Sequence, residues 1–302
     1  MGSMRLKALL VAVPMWMLAA GTAVAADTSA LVTENVVSPG ISVKSDGWVA
    51  YAPQVTSATG TTVTVAGTRS DDGGCTLSGD ASSGADTYTE EVGYNPATCQ
   101  FKLRTTTGAA PATTAGPVAT TADTSLNTVS LKSTTDGVAA TTDSLAAATV
   151  YTYKRYLKTS WIDPINITIS SQTVAFQWTN VGWTKWAYAR NSFKGCVAGA
   201  CLDKTYIVSG SDSFTALTGG WRKTANVHFR NTSFAKWVAA VLGLTGWAAC
   251  GFPTSFQADF YHQDQVSGYK SGAWATHWSD TKSGACTNLV HHGDATGASY
   301  PL

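Results

Sequence analysis

The chain has 302 residues and a formal net charge of +1, with 13% charged against 44% hydrophobic residues. The charged share is about half the usual one of roughly 25%, and no stretch is basic enough to suggest nucleic acid as a partner. Glu occurs only at Glu34, Glu90 and Glu91, so polar surface must come from Thr, Ser, Asn and Gly, which suit strands and turns better than helices.

In chain order, Arg5 and Lys7 give a basic start, Leu9 to Ala20 an apolar run, and Ala23-Val24-Ala25 small residues for cleavage. This is the pattern of a signal peptide over 1–25, cut before Ala26. The run is shorter than the roughly 20 residues that span a bilayer core, and Pro14 interrupts it. The expectation is a secreted, extracellular protein without membrane insertion.

Residues 26–104 read as an acidic β-rich region of short strands, over Gly47 to Ala52, Thr61 to Ala66, Asp86 to Gly93 and Cys99 to Arg104, between turns such as Ser70-Asp71-Asp72-Gly73-Gly74. Residues 105–148 are Thr, Ala, Gly and Ser with almost no aromatics. They read as a linker by composition, or as a pair of weak strands. From 149 to 302 a Trp-rich β-domain is expected. Between 26 and 150 there are five basic and twelve acidic residues, and from 151 onward thirteen basic and seven acidic, with nine of the eleven Trp. The parts are either two modules or unlike faces of one domain.

Within that last region Ile165, Ile167 and Ile169 alternate with polar residues, Ser171-Gln172 reads as a turn, and Val174, Phe176 and Trp178 alternate again, a hairpin pattern. Trp186, Tyr188 and Arg190 share one side of a following strand. Short runs at Lys204 to Val208, Ala225 to Arg230, Ser255 to Tyr261, Ala273 to Trp278 and Thr287 to His291 continue the series. Phe234 to Leu244 has helical spacing, with Thr232 or Ser233 as cap and Gly246 beyond its end. Six Cys in an exported chain predict three disulfides, and proximity pairs Cys75 with Cys99, Cys196 with Cys201, and Cys250 with Cys286. The fold class is thus all-β, a disulfide-bonded β-sandwich-like fold with one short helix.

The segment Thr89-Glu90-Glu91-Val92-Gly93-Tyr94-Asn95-Pro96-Ala97-Thr98-Cys99-Gln100 resembles one recurring in uncharacterised secreted proteins of actinobacteria. The resemblance implies that the acidic strand, the Asn-Pro turn and Cys99 are framework, and that the whole mature chain is one architecture. It implies no activity and no site residues.

Two groups of side chains carry candidate chemistry. Aromatic rings stack on the apolar faces of sugars while polar rims bind hydroxyls, so Trp183, Trp186, Tyr188, Trp274, His277 and Trp278 are the expected ligand-binding residues. The second group is Asp259, His262, Asp264, His277, Asp280, His291, His292 and Asp294. It matches no HExxH, GxSxG or calcium-loop signature, and His291 to Asp294 reads as a strand end or turn. Glu90 and Glu91, adjacent on a strand, point to opposite faces and cannot form a glycosidase pair together. The expected function is non-catalytic binding of an extracellular or cell-surface glycan, without metal or cofactor. The alternatives are a secreted hydrolase using Asp259, His262 and His277, or a structural or protein-interaction protein.

Overall fold

A computed structural model of the protein describes residues 34–54, 60–108, 150–192, 194–197 and 200–298, with only the backbone for 194–197 and 200–203. The segment read as a signal peptide and most of the Thr/Ala-rich stretch lie outside the described residues. Among the described residues seventeen strands occur in chain order: β1 Glu34–Ser38, β2 Ile41–Lys44, β3 Val49–Tyr51, β4 Thr61–Ala66, β5 Thr68–Arg69, β6 Cys75–Ser82, β7 Thr87–Asn95, β8 Gln100–Thr107 and β9 Thr152–Ile162. There follow β10 Thr168–Thr179, β11 Trp183–Ser192, β12 Lys194–Val197, β13 Ala200–Leu217, β14 Gly220–Asn231, helix α1 Phe234–Ala249, β15 Ala258–Tyr269, β16 Trp274–Gly284 and β17 His291–Gly297.

The strands form two antiparallel sheets. The first has ten strands in the order β1-β2-β3-β7-β17-β9-β10-β11, with β8 on the other edge of β7 and β4 beyond it. The second has seven, in the order β12-β13-β14-β15-β16-β6-β5. Strands from the acidic region enter both sheets, β7 beside β17 and β6 beside β16. The sheets face each other across β9 and β10 on one side and β14, β15 and β16 on the other, which makes the all-β sandwich expected from composition.

Period-2 alternation decides what fills the interior. Leu157, Trp161, Val174, Phe176 and Trp178 come from the first sheet, and Ala225, Phe229, Phe260, Val266 and Trp278 from the second, all buried. Two glycines make room for the large rings. A Cβ on Gly79 would lie 2.6 Å from the Trp278 indole, and one on Gly268 2.3 Å from that of Trp178.

Cys75 is bonded to Cys99 and Cys250 to Cys286, as proximity predicts. Cys196 and Cys201 pair in register across β12 and β13, and their side chains lie outside the described residues. No described helix is long and apolar enough to cross a membrane.

Four expectations need correction. Ser171-Gln172 is not a turn: β10 runs unbroken through it, and the hairpin is β9–β10 instead, turning at Asp163-Pro164-Ile165-Asn166. Polar residues interrupt the apolar pattern because Ser170 and Gln172 bond to partners inside the sandwich. The run from His291 to Asp294, read as a strand end or turn, is no turn but the starting end of β17, set between β7 and β9. β8 continues to Thr107, into the stretch read as linker. The helix reaches Ala249, with a non-helical residue at Gly243, φ 64°, a value glycine adopts without a Cβ clash.

Helix α1 buries Phe234, Ala235, Trp237 and Val238 and is tied to the hairpin by one carboxylate. Asp163 Oδ2 accepts the Trp237 Nε1–H at 2.9 Å, and Oδ1 accepts the Ile165 and Ile167 amides at 3.0 and 2.8 Å. Burial pushes this carboxyl up to about 6 in spite of those bonds. Removing the acceptor strands three donors, two of them in or near the core. Asp163→Ala is therefore expected to cost about 3 kcal/mol in urea unfolding. Asp163→Asn, which keeps one acceptor oxygen, should cost clearly less, and equal losses would show that the bonds do not carry the effect.

Candidate functional site

The outer face of the second sheet carries an open groove of about 510 Å³. Register explains how residues distant in sequence meet there. Asn226 of β14 lies beside Gln263 of β15, Ser279 of β16 and Ser78 of β6, and one row along His228 lies beside Tyr261, Thr281 and Thr76. Ser209, Gly210 and Ser211 of β13 complete the lining, just past a bulge between Ile207 and Ser209 that re-aims the strand. The lining holds hydroxyls, amides, a phenol, two histidines, His228 and His262, and Val227, and no carboxylate or ammonium group. The hydroxyls are cross-strand neighbours: Thr76 and Thr281 are 2.7 Å apart, and Ser78 donates to Ser279 at 3.1 Å.

His228 and Tyr261 both line this groove, their rings stacked face to face at 4.1 Å and 14°. At the groove's end Asp259 accepts His228 Nε2–H at 2.6 Å, Arg230 Nε–H at 2.7 Å and Gln257 Nε2–H at 2.6 Å. Burial alone would raise this carboxyl, but the His228, Arg230 and Gln257 bonds together hold it below the usual range. An anionic Asp259 accepts from His228 Nε2 and so fixes the orientation of the ring.

A second polar cluster lies between the sheets. Asp280 Oδ2 sits 2.7 Å from His262 Nδ1 and 2.9 Å from His292 Nε2. His262 Nε2 is 3.1 Å from Ser170 Oγ. Lys282 Nζ donates to Glu91 Oε1 at 2.9 Å and to the Val290 carbonyl, and Glu91 Oε2 accepts the His292 amide at 3.0 Å. Burial would raise Asp280, but the charges and bonds of His262 and His292 hold it well below the usual range. Asp264 and Asp294 are pushed well up, first by burial and then by the Asp280 charge. The order Ser170, His262, Asp280 is that of a nucleophilic relay. Ser170 and Asp280 are wholly buried, however, and the relay has no path to an outside substrate. Among the described residues no three His, Cys, Asp or Glu are placed to hold a metal ion.

The expected ligand-binding residues fall elsewhere. Trp274 and Trp278 are 7% and 3% exposed. Trp278 stacks on His292 at 4.3 Å, and Arg155 lies 3.9 Å over Trp274. These two rings do not present open faces, because their even positions on β16 point inward with Asp280 and Lys282. Trp183, Trp186 and Tyr188 are half-buried at the β11 edge, on the face shared with Val174 and Phe176. Trp186 stacks on Tyr188 at 5.8 Å, Lys223 Nζ lies 3.4 Å over Trp186, and Trp183 packs on Phe214 at 5.0 Å. Only His277 faces outward on the groove's side, 2.8 Å from Asp80. The hydrolase trio is not brought together: Asp259 and His277 are on the outer face and His262 is inside. Glu90 and Glu91 diverge, Glu90 accepting the Gln54 amide at 2.7 Å while Glu91 meets Lys282.

Asn226, His228, Tyr261 and Gln263 were not singled out as binding residues from sequence. Their common signal is odd or even position on neighbouring strands, which shows only once register is known. No family model, curated protein or solved structure matches the chain.

Proposed function

We propose that the protein acts outside the cell as a non-catalytic binder of extracellular or cell-surface glycan, which it takes in the groove on the outer face of the second sheet. The observation that carries this reading is the groove's chemistry. A concave surface of about 510 Å³ combines the stacked His228–Tyr261 pair with hydroxyl and amide groups and no carboxylate or ammonium group in its lining, which suits a polyhydroxylated ligand. The half-buried rings of β11 are the second place a sugar could stack, and the test separates the two.

Purified protein should be depleted from solution by at least one insoluble polysaccharide among cellulose, chitin and peptidoglycan. Tyr261→Ala and Asn226→Ala, at half-buried positions in the groove, should each weaken that binding by about tenfold, the loss of one good contact. Binding untouched by these changes but abolished by Trp183→Ala with Trp186→Ala would move the site to β11. No depletion by any of the three would end the proposal for these polymers.

A further inference from the structure

Inside the sandwich a hydroxyl and a carboxamide are arranged as if to react with each other. Thr159 of β9 and Gln172 of β10 are direct partners across the antiparallel pair, so their side chains leave the sheet on the same face as close neighbours. Both reach the same atom. Asp264 Oδ2 accepts the Thr159 hydroxyl at 3.2 Å and the Gln172 Nε2–H at 3.1 Å, and Asp264 Oδ1 lies 3.1 Å from the same hydroxyl. On the far side of the amide, Arg190 Nε–H donates to Gln172 Oε1 at 3.3 Å. Thr159, Gln172 and Asp264 are all wholly buried.

We propose that Thr159 and Gln172 join through an intramolecular ester that pins β9 to β10. Each part of an acyl transfer is present. The Asp264 carboxylate takes the proton from Thr159 Oγ1, which attacks Cδ of Gln172. The C=O electrons move to Oε1, where the Arg190 guanidinium meets the developing charge. Collapse breaks the Cδ–Nε2 bond, and Asp264 returns its proton to the departing nitrogen, which leaves as ammonia. The hydroxyl and amide become an ester and ammonia, with no oxidant or other reactant required. Burial and the neighbouring Asp280 charge raise Asp264 well above the ordinary range, so the first transfer runs through the ionised fraction of this carboxyl, which is then a strong base. His262 Nδ1, 2.8 Å from Thr159 Oγ1, helps orient the hydroxyl. The dry interior that favours the reaction also keeps water from the product.

Trypsin cuts after Lys158 and next after Lys185, so both partners fall in one peptide, Thr159–Lys185. That peptide from the purified, reduced protein should be lighter than its sequence by one ammonia, about 17 Da. Its fragment spectrum should lack breaks between Thr159 and Gln172, and mild alkali should open it to a peptide with Glu at position 172. Asp264→Asn should give the peptide at full mass. An unmodified wild-type peptide overturns the proposal outright, and a folded Asp264→Asn protein that still carries the lighter peptide overturns the role of Asp264. Neither result bears on glycan binding, which lies on the opposite face of β15.

Discussion

Lys282→Ala is expected to destabilise the protein by about 3 to 5 kcal/mol, the cost of leaving one member of a buried ion pair alone. Lys282 Nζ is held by Glu91 and the Val290 carbonyl and lies 4.0 Å over the Tyr94 ring and 5.3 Å over that of Trp161. Neither charged group has access to water. Burial pushes Glu91 up and Lys282 down, and the attraction between them opposes both shifts. Without the ammonium, Glu91 must stay protonated or sit charged among rings. Urea unfolding followed by intrinsic fluorescence reads the loss directly. The paired change Lys282→Met with Glu91→Gln removes the charge problem and should recover most of the stability. A double variant as weak as Lys282→Ala would show that packing, not pairing, sets the cost.

The stability that Asp294 contributes should be lost as pH rises from about 4 toward its raised folded pKa, and Asp294→Asn should remove that loss. Asp294 has an interior oxygen, Oδ1, without a hydrogen-bond partner, and both burial and the Asp280 charge raise its pKa. The unfolded chain releases this proton near pH 4, whereas the folded chain retains it. The contribution is therefore complete below about pH 4 and declines by about 1.4 kcal/mol per pH unit up to the folded pKa. Asp264 adds to the same limb. The histidines work in the opposite sense. Burial first, and then the charges of Lys282 and His292, push His291 down to about 3, and burial lowers His292. Their contribution is present above about pH 6.5 and lost as pH falls toward the folded values. Buried lysines and tyrosines add slopes of their own at higher pH, so the Asp294 contribution is read from the difference between the wild-type and Asp294→Asn profiles. An Asp294→Asn profile parallel to wild type would rule out Asp294 as a cause.

Both effects arise from groups whose identity, though not direction, was legible in the sequence. The concentration of His and Asp after residue 258 is plain, and period 2 gives the parity of each strand. The residues that share the interior, His262, Asp264, Asp280, His292 and Asp294, are all even, while Asp259 and His277 are odd and face outward. What the residues alone do not give is which parity faces in. Hydrophobic alternation usually supplies it, and in β15 and β16 polar residues occupy both faces. The same ambiguity affected the aromatics: Trp274 and Trp278 flank polar residues as an exposed platform would, yet Gly79 opposite Trp278 leaves its ring room to lie inside. Local features fared better. Two disulfides follow from proximity, and helix α1 follows from its spacing from Phe234 onward. The groove drew on β6, β13, β14, β15 and β16, residues 76 to 281, and its assembly depends on pairings that no local pattern encodes.

The position of β17 has a consequence for the order in which the molecule can form. It is the last of the described strands in the chain, yet it alone joins β7 to β9. Without it the first sheet falls into two pieces, β1-β2-β3-β7-β8-β4 and β9-β10-β11, each with an unpaired edge. A chain emerging from its N-terminus holds both edges open until residues 291 to 297 arrive. Such distant pairing makes folding slow, and it delays closure of the first sheet until β17 has been made. A sheet built this way stays in two loose halves until β17 slides into the middle.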